Sequence, residues 1–354
     1  MGKVLIAMSG GVDSSVAAYL LKHSGWDCVG ATMTLYRNED IGISRSRTCC
    51  SLEDVEDARS VAFRLRIPYY VFNFSDEFRR QVMDRFADAY GQGRTPNPCI
   101  DCNRYLKFRH LYDRAALLGC DAIATGHYAR IEQENGRYLL KKALDASKDQ
   151  SYVLYMLTQE QLAHTQFPLG ALHKSETRQL ADSLGFFNAR KPDSQDICFV
   201  PDGDYAAFIR RHTGKADTPG DFVDESARTL GCHKGIAHYT IGQRKGLGIP
   251  SNRPLYVKAI DPKSNQVVLS ENDALFSQQL TGENFNWIAW EAPPRQFRCS
   301  AKIRYRQTEQ PCKVTVEEDS SVQVLFDRPQ RAITPGQAVV LYDGDTVLGG
   351  GTIL

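Results

Sequence analysis

The sequence predicts an α/β amino-terminal domain built on a parallel sheet, then a small mostly-β central domain and a C-terminal β-barrel. Three observations predict it. Up to about residue 200, short apolar runs alternate with stretches of helical spacing, a rhythm that implies parallel strands covered on both faces. A glycine turn, "SGGVDSS", lies directly between the first strand-like run and the first helix. From about residue 215 the pattern becomes short strand-like runs divided by Pro, Gly, Asn and Asp, as in all-β domains. These shifts divide the chain into 1–210, 211–275 and 276–354.

Each element follows from its residues. "KVLIAM" is a strand, and in "SSVAAYLLKH" the residues Val16, Ala17, Leu20 and Leu21 share one helical face. "CVGATMTLY" is the second strand. "SLEDVEDARSVAFRL" offers Ser51 as N-cap and sets Val55, Ala58, Ala62 and Leu65 at helical spacing. "YYVFNF" is a third strand, and a helix from about Asp76 to Tyr90 follows. After "PNPCIDCN" comes another helix, then "DAIATGH", a buried strand ending in a glycine turn. In the second half, "PLYVKAI", "NQVVLS", "FNWIAW", "CSAKIRYR", "CKVTVEE", "SVQVLF" and "AVVLYDGDTVLGG" read as strands, with "YDGD" a hairpin turn.

The 354 residues suffice for two or three hydrophobic cores. A net charge of +1 gives no global field for nucleic acid, so any such role needs local patches. The opening "MGKVLIAMSGG" is too short an apolar run for a signal-peptide core, and no run approaches membrane-spanning length. With ten cysteines, this points to reduced thiols in the cytoplasm rather than a disulfide framework.

The sharpest motif is "SGGVDSS", residues 9–15. Two glycines permit positive φ angles that turn backbone amides toward one point. The following helix adds its positive end, which favours an anion. Ser9, Ser14 and Ser15 can donate further hydrogen bonds, and Asp13 suits a metal ion or a ribose hydroxyl. The motif is neither a Walker A loop nor a G-x-G-x-x-G turn. It resembles the signature of the ATP-pyrophosphatase (N-type, PP-loop) superfamily, whose amino-terminal domain is adenine-nucleotide-hydrolase-like. The resemblance implies ATP, with Mg2+, and activation of a carbonyl or carboxyl oxygen as an adenylate.

"CCSLEDVEDAR", "TPNPCIDCNRYLKF", "ATGHYAR", "KDQSYVLY", "PDSQDICF" and "YTIGQRKGLGI" together resemble the tRNA-specific 2-thiouridylases. That family replaces the C2 oxygen of the wobble uridine by sulfur in tRNAs for Lys, Glu and Gln. The resemblance implies ATP on Ala7, Met8, Ser9, Gly10, Gly11, Val12, Asp13 and Ser14, with Met33 and Gly126 as adenosine contacts. It implies that Cys102 is the nucleophile and Cys198 the carrier of a persulfide, loaded by a sulfur-donor protein such as a cysteine desulfurase or relay carrier. Two routes fit: a Cys198 persulfide attacks C2 and Cys102 resolves it as a disulfide, or Cys102 releases hydrosulfide.

The thiols make their own demand. A cysteine of ordinary acidity is only about 3% thiolate at pH 7, so lowering its pKa to about 7 multiplies the nucleophile roughly fifteen-fold. Cys102 is followed by Arg104 and Lys107 and opens a helix in this reading, and Arg190 and Lys191 precede Cys198. Cys99 stands where some relatives carry a general acid/base aspartate, and Asp101 is out of register for that role. By spacing alone, Cys99 and Cys102 fit half a zinc site, a redox pair, or a nucleophile with a bystander. A zinc ribbon needs a second C-x-x-C, and the other close pair, Cys49–Cys50, is adjacent. Cys99, Cys102 and Cys198 also suit an iron–sulfur cluster with one open iron. Cys28, Cys120, Cys232, Cys299 and Cys312 read as small core residues.

For RNA, "AKIRYRQ" on a strand would align Lys302, Arg304 and Arg306 on one face. Between Arg295 and Lys313 the local charge is +5, enough to track a phosphate backbone or simply to face solvent. The resemblance implies tRNA contacts at Asn97, Pro98, Cys99, His127, Lys148, Asp149, Gln150, Arg304, Tyr305 and Gln337. The competing readings are another adenylating ligase acting on a small carboxylate or amide, and a zinc-stabilised RNA-binding module.

Overall fold

The computed structural model describes residues 2–37, 39–42, 52–192 and 197–354. The expected N-cap Ser51, the Cys49–Cys50 pair and residues 193–196 of "PDSQDICF" lie outside them. The chain forms two compact units. The first takes Met1–Val82, Cys99–Gly203 and Gly344–Leu348; the second takes Met83–Pro98, Asp204–Asp343 and Gly349–Leu354.

The first unit holds β1 (Lys3–Ala7), α1 (Val12–His23), β2 (Asp27–Thr34), α2 (Leu52–Arg64), β3 (Tyr69–Asn73), β4 (Ala122–Ala124), the pair β5 (Ala129–Glu134) and β6 (Arg137–Lys142), β7 (Thr165–Gln166) and α3 (Lys174–Ser183). Five strands make a parallel sheet in the order β3-β2-β1-β4-β7. Val4, Leu5 and Ile6 have no exposure, because helices cover both faces; that explains the unbroken apolar run. Val16 and Ala17 of α1 and Ala58, Val61 and Ala62 of α2 share one buried cluster with Val4 and Ile6. The strand order turns about β1, so a crevice opens between the carboxyl ends of β1 and β4, where open α/β sheets bind ligands. The β5–β6 hairpin was not expected; Asn135 (φ 51) and Gly136 (φ 79) form its turn.

In the second unit, β8 (Gly220–Val223), β9 (Thr229–His233), β10 (Tyr256–Asp261) and β11 (Gln266–Ser270) form a sheet in the order β10-β11-β8-β9. It closes over Phe222, Val257 and Val267, all fully buried. Then β12 (Phe276–Trp287), β13 (Gln296–Lys302), β14 (Gln310–Val316), β15 (Val322–Arg331), β16 (Ala338–Asp343) and β17 (Thr346–Ile353) run in the order β12-β15-β14-β13-β16-β17. Pairing of β17 with β12 closes the barrel and leaves no open edge. The turn in "YDGD" is present, with Gly344 at φ 57. Two expected strands are shorter than read. "FNWIAW" ends at Trp287 and "CSAKIRYR" leaves its ladder after Lys302.

Candidate nucleotide and thiol site

The loop between β1 and α1 departs from expectation in one detail. Gly10 has φ +74, whereas Gly11 is the N-cap of α1 at φ −85, open to any residue. Gly10 is also forced by space: a β-carbon there would lie 2.4 Å from the Asp54 carbonyl oxygen. The serines turn inward. Ser14 Oγ and Ser15 Oγ each donate to the Gly11 carbonyl at 3.0 Å, and Ser14 Oγ accepts from the Ser9 amide at 3.1 Å. Ser9, exposed, is therefore the hydroxyl presented outward. Asn188, outside every expected motif role, donates to the Gly10 carbonyl and to Ser15 Oγ, both at 2.9 Å, while its own carbonyl oxygen is buried without a partner. The cradle suits a polyphosphate: free amides of a helix start, a side-chain-free bend, and an outward hydroxyl.

Asp13, expected to meet a metal ion or a ribose hydroxyl, is held from within. Lys174 reaches its two oxygens at 2.6 and 2.7 Å, and Tyr128 donates to it at 2.9 Å. Lys174 opens α3, 161 positions away, and no local pattern announces it. The lysine is nearly buried, so the pair is poorly screened and fixes the first turn of α1 against α3.

Because β1, β2 and β4 are parallel, Ala7, Thr34 and Ala124 end at the same sheet edge. At the end of β2, Met33 is half-buried, and Thr32 Oγ1 donates to the Met8 carbonyl at 2.6 Å. Beyond β4, a β-carbon on Gly126 would stand 2.8 Å from the Ser14 amide nitrogen, so the two loops meet without side chains. His127 follows, buried between Phe108 and Phe167, with Nδ1 2.7 Å from Thr125 Oγ1. Burial first, and then the Lys107 charge, hold its imidazole well below the usual histidine range. Of the "KDQ" residues, Gln150 exchanges hydrogen bonds with the Tyr128 backbone at 2.9 Å, and Asp149 caps Ala143 and Ser151. Both act as braces behind the crevice; Lys148 is half-buried.

The cysteines divide clearly. Cys102 begins a π-helical stretch, Cys102–His110, that follows the short helix Pro98–Asp101. Cys99, exposed, and not Cys102 therefore occupies the first helical turn. Asn103, Leu106 and Phe108 are buried and anchor the stretch, with Asn103 donating to the Val153 carbonyl at 3.0 Å. Cys198 lies beside the segment that follows β2, because Tyr36 donates to its carbonyl at 2.7 Å and Phe199 packs edge-on against Phe78. The basic neighbours expected for Cys198 are engaged elsewhere. Lys191 pairs with Asp54 and Asp57 at 2.5 and 2.7 Å, and Arg190 approaches Asp182 at 3.9 Å. Burial pulls the Lys191 ammonium down, but its hydrogen bonds to Asp54 and Asp57 outweigh that and raise it.

Cys99 is exposed, and Cys102 and Cys198 are partly exposed. Among the described residues, no group of three or more His, Cys, Asp or Glu is placed to hold a metal ion. Cys28, Cys120 and Cys312 are buried as expected, while Cys232 is exposed. Burial pushes the Cys28 thiol up to about 11 and also raises Cys120. Cys299 and Cys312 face each other across β13 and β14, sulfurs 3.7 Å apart; their hydrogen bond, then burial, drives the Cys299 thiol far upward.

In the second unit the expected cationic stripe is broken. The Lys302 ammonium lies over the Tyr342 ring at 5.3 Å, and the chain then bends because Gln307 accepts the Ile303 amide at 3.0 Å. Arg304 turns back to the carbonyls of Arg331 and Ala332. Tyr305 stays 38% exposed. Gln337 donates to the Thr95 carbonyl at 2.7 Å, near half-buried Asn97 and buried Pro98.

Family models match nearly the whole length: residues 2–202 as a tRNA methyl transferase HUP domain, 206–271 as a tRNA methyl transferase PRC-barrel domain, and 277–353 as an aminomethyltransferase beta-barrel domain. The chain is 54% identical over 354 residues to tRNA-specific 2-thiouridylase MnmA 1 of Thermoanaerobacter sp. (strain X514), covering 99% of this chain and 97% of that protein. It is 51% identical over 356 residues to tRNA-specific 2-thiouridylase MnmA of Lachnoclostridium phytofermentans, covering 100% of both. The corresponding protein of Clostridioides difficile (strain 630) is 50% identical over 353 residues, covering 99% of this chain and 98% of that one.

Two measurements check the geometry. Gly10→Ala should lower the unfolding free energy by about 2 kcal/mol or more in a denaturant titration, through strain and clash; Gly11→Ala should cost under about 1 kcal/mol. His127 should stay neutral in an NMR titration carried from about pH 7.5 down through the ordinary histidine range, where a free imidazole protonates. The sign follows from linkage: with a depressed folded pKa, its contribution to stability is complete above about pH 6.5 and is lost as pH falls.

Proposed function

This chain belongs to the tRNA-specific 2-thiouridylase family, and from that premise we propose how its residues exchange the C2 oxygen of a tRNA uridine for sulfur. ATP, when bound, supplies AMP as the leaving group on that oxygen and releases pyrophosphate. Residues 7–14 hold the phosphates, through loop amides and the Ser9 hydroxyl, while Lys174, Tyr128 and Asn188 keep the loop in shape. Met33 and Gly126 flank the adenosine. Mg2+ would accompany the ATP and offset the charge of its phosphates.

The uridine leaves its stack to present C2. His127 meets it as a neutral ring, able to exchange a hydrogen bond without adding charge. A persulfide on Cys198, loaded by a sulfur-donor protein, attacks C2 with its outer sulfur and displaces AMP. The Cys102 thiolate then attacks the inner Cys198 sulfur. The electron pair leaves on the uridine sulfur, giving 2-thiouridine and a Cys102–Cys198 disulfide that a thiol reductant reopens. The observation that carries this reading is the Tyr36 bond to the Cys198 carbonyl, which supports a sulfur carrier at the edge where the phosphate loop also opens.

The division into 1–210, 211–275 and 276–354, the wobble uridine of tRNAs for Lys, Glu and Gln as target, and a cytoplasmic site of action belong to the same proposal. So do the tRNA-facing roles of Asn97, Pro98, Cys99, Lys148, Asp149, Gln150, Arg304, Tyr305 and Gln337. For those whose side chains are engaged internally, the role is to shape the surface.

Pyrophosphate release from ATP should require tRNA with an unmodified U34; release indifferent to tRNA would return the chain to a small-molecule ligase. Cys102→Ser and Cys198→Ser should each abolish thiolation yet retain pyrophosphate release. Protein purified without oxygen should be active and colourless. A brown, iron-containing preparation that bleaches together with activity would replace the persulfide by a cluster on Cys99, Cys102 and Cys198.

A further inference from the structure

The barrel carries a pocket of about 580 Å³ whose lining includes Arg304, Arg306, Arg328 and Arg331 and no acidic residue. Its cations fall into two kinds. Arg304 is turned to the carbonyls of Arg331 and Ala332. Arg331 donates through Nε to Asn272 at 3.0 Å and stacks over the Tyr256 ring at 5.1 Å. These two brace the wall. Arg306 and Arg328 are exposed and, among the described residues, pair with no carboxylate. Elsewhere on the barrel exposed arginines do find one: Arg298 meets Asp327 at 2.6 Å and Arg295 approaches Glu318 at 3.9 Å. Asp327, the chain neighbour of Arg328, is thus already taken.

The rest of the pocket is built rather than loose. Gln307 donates to Gln330 at 3.0 Å, and Gln330 donates to the Arg328 carbonyl at 2.8 Å. Gln330 is 6% exposed, so these amides form a fixed wall with their bonds satisfied. Phe276, 45% exposed, adds an aromatic face to the lining. Guanidiniums gathered without a counter-charge repel one another, and an anion relieves that repulsion. Guanidinium forks match phosphate oxygens geometrically, and an aromatic ring beside a phosphate seat suits a nucleotide strand.

We propose that this pocket seats a phosphodiester of the RNA substrate's backbone, with Arg306 and Arg328 as the contacting cations and Arg304 and Arg331 as the residues that position them. The inference rests on the tRNA-modifying role above and moves the phosphate contact from Arg304 to its two unpaired neighbours.

The test titrates labelled substrate tRNA with the full chain across about 50 to 200 mM salt. For the Arg306→Ala, Arg328→Ala double variant, affinity should fall on the order of tenfold at the low end. The slope of log affinity against log salt should flatten by about 1.5 to 2, near one counterion per lost contact. Arg295→Ala, on the same barrel, should change neither. A double variant with unaltered affinity and slope, while the unaltered chain binds tRNA, overturns the pocket assignment and leaves the sulfur chemistry standing. An unaltered chain that binds no tRNA overturns the tRNA-modifying role itself. Inorganic phosphate is the remaining arm. If the double substitution removes phosphate binding seen by calorimetry but leaves tRNA affinity intact, the pocket serves a free anion and the proposal fails.

Discussion

A β-carbon at residue 10 would press into the Asp54 carbonyl, and the path of the phosphate loop depends on that exclusion. Because Gly10 can pass so close to α2, its carbonyl meets Asn188 and the start of α1 turns toward the crevice between β1 and β4. Asp54 is itself held by Lys191, and Asp13, at the other end of the loop, by Lys174. Two lysines from the later part of the first unit thus clamp the two sides of one backbone bend. The loop is stiff because charges distant in sequence hold it. Its amides are organised in advance, which reduces the ordering that the proposed phosphate binding would otherwise require.

What was legible in the sequence was local. The apolar run of β1, the spacing of α2 and the glycine turn between β1 and α1 each follow from a few neighbouring residues, and each is present. The hairpin β5–β6 has a local signal too, since Asn135 and Gly136 make the strongest short turn pair, but the longer rhythm of strand and helix masks it. Lys174 and Asn188 were not legible. Each acts on residues more than 150 positions earlier, and nothing in its own neighbourhood marks it. The positions of Arg190 and Lys191 misled for the same reason: nearness along the chain to Cys198 says nothing about which carboxylate a flexible lysine reaches.

The barrel shows how a charge pattern can be right in sign and wrong in detail. Arg304 and Arg306 lie two apart, and an extended strand would have placed them side by side. The chain bends after Lys302, so one guanidinium turns to backbone carbonyls and the other to solvent. Gln337, Asp149 and Gln150 carry the same lesson. A residue can matter to a ligand through the backbone it fixes, even when its own polar atoms are occupied by the protein.

On the proposed persulfide route, sulfane sulfur passes between two thiols, and the remaining sulfur atoms must be kept from joining in. Sequestration by distance is unnecessary when acidity does the sorting. Cys28, Cys120 and Cys299 hold their protons above the usual thiol range, and a protonated thiol is a poor partner in exchange. The Cys299 sulfur, though almost touching its neighbour on the adjacent strand, is thereby kept chemically silent. Burial thus insulates Cys28 and Cys120, and the hydrogen bond to Cys312, with burial second, insulates Cys299.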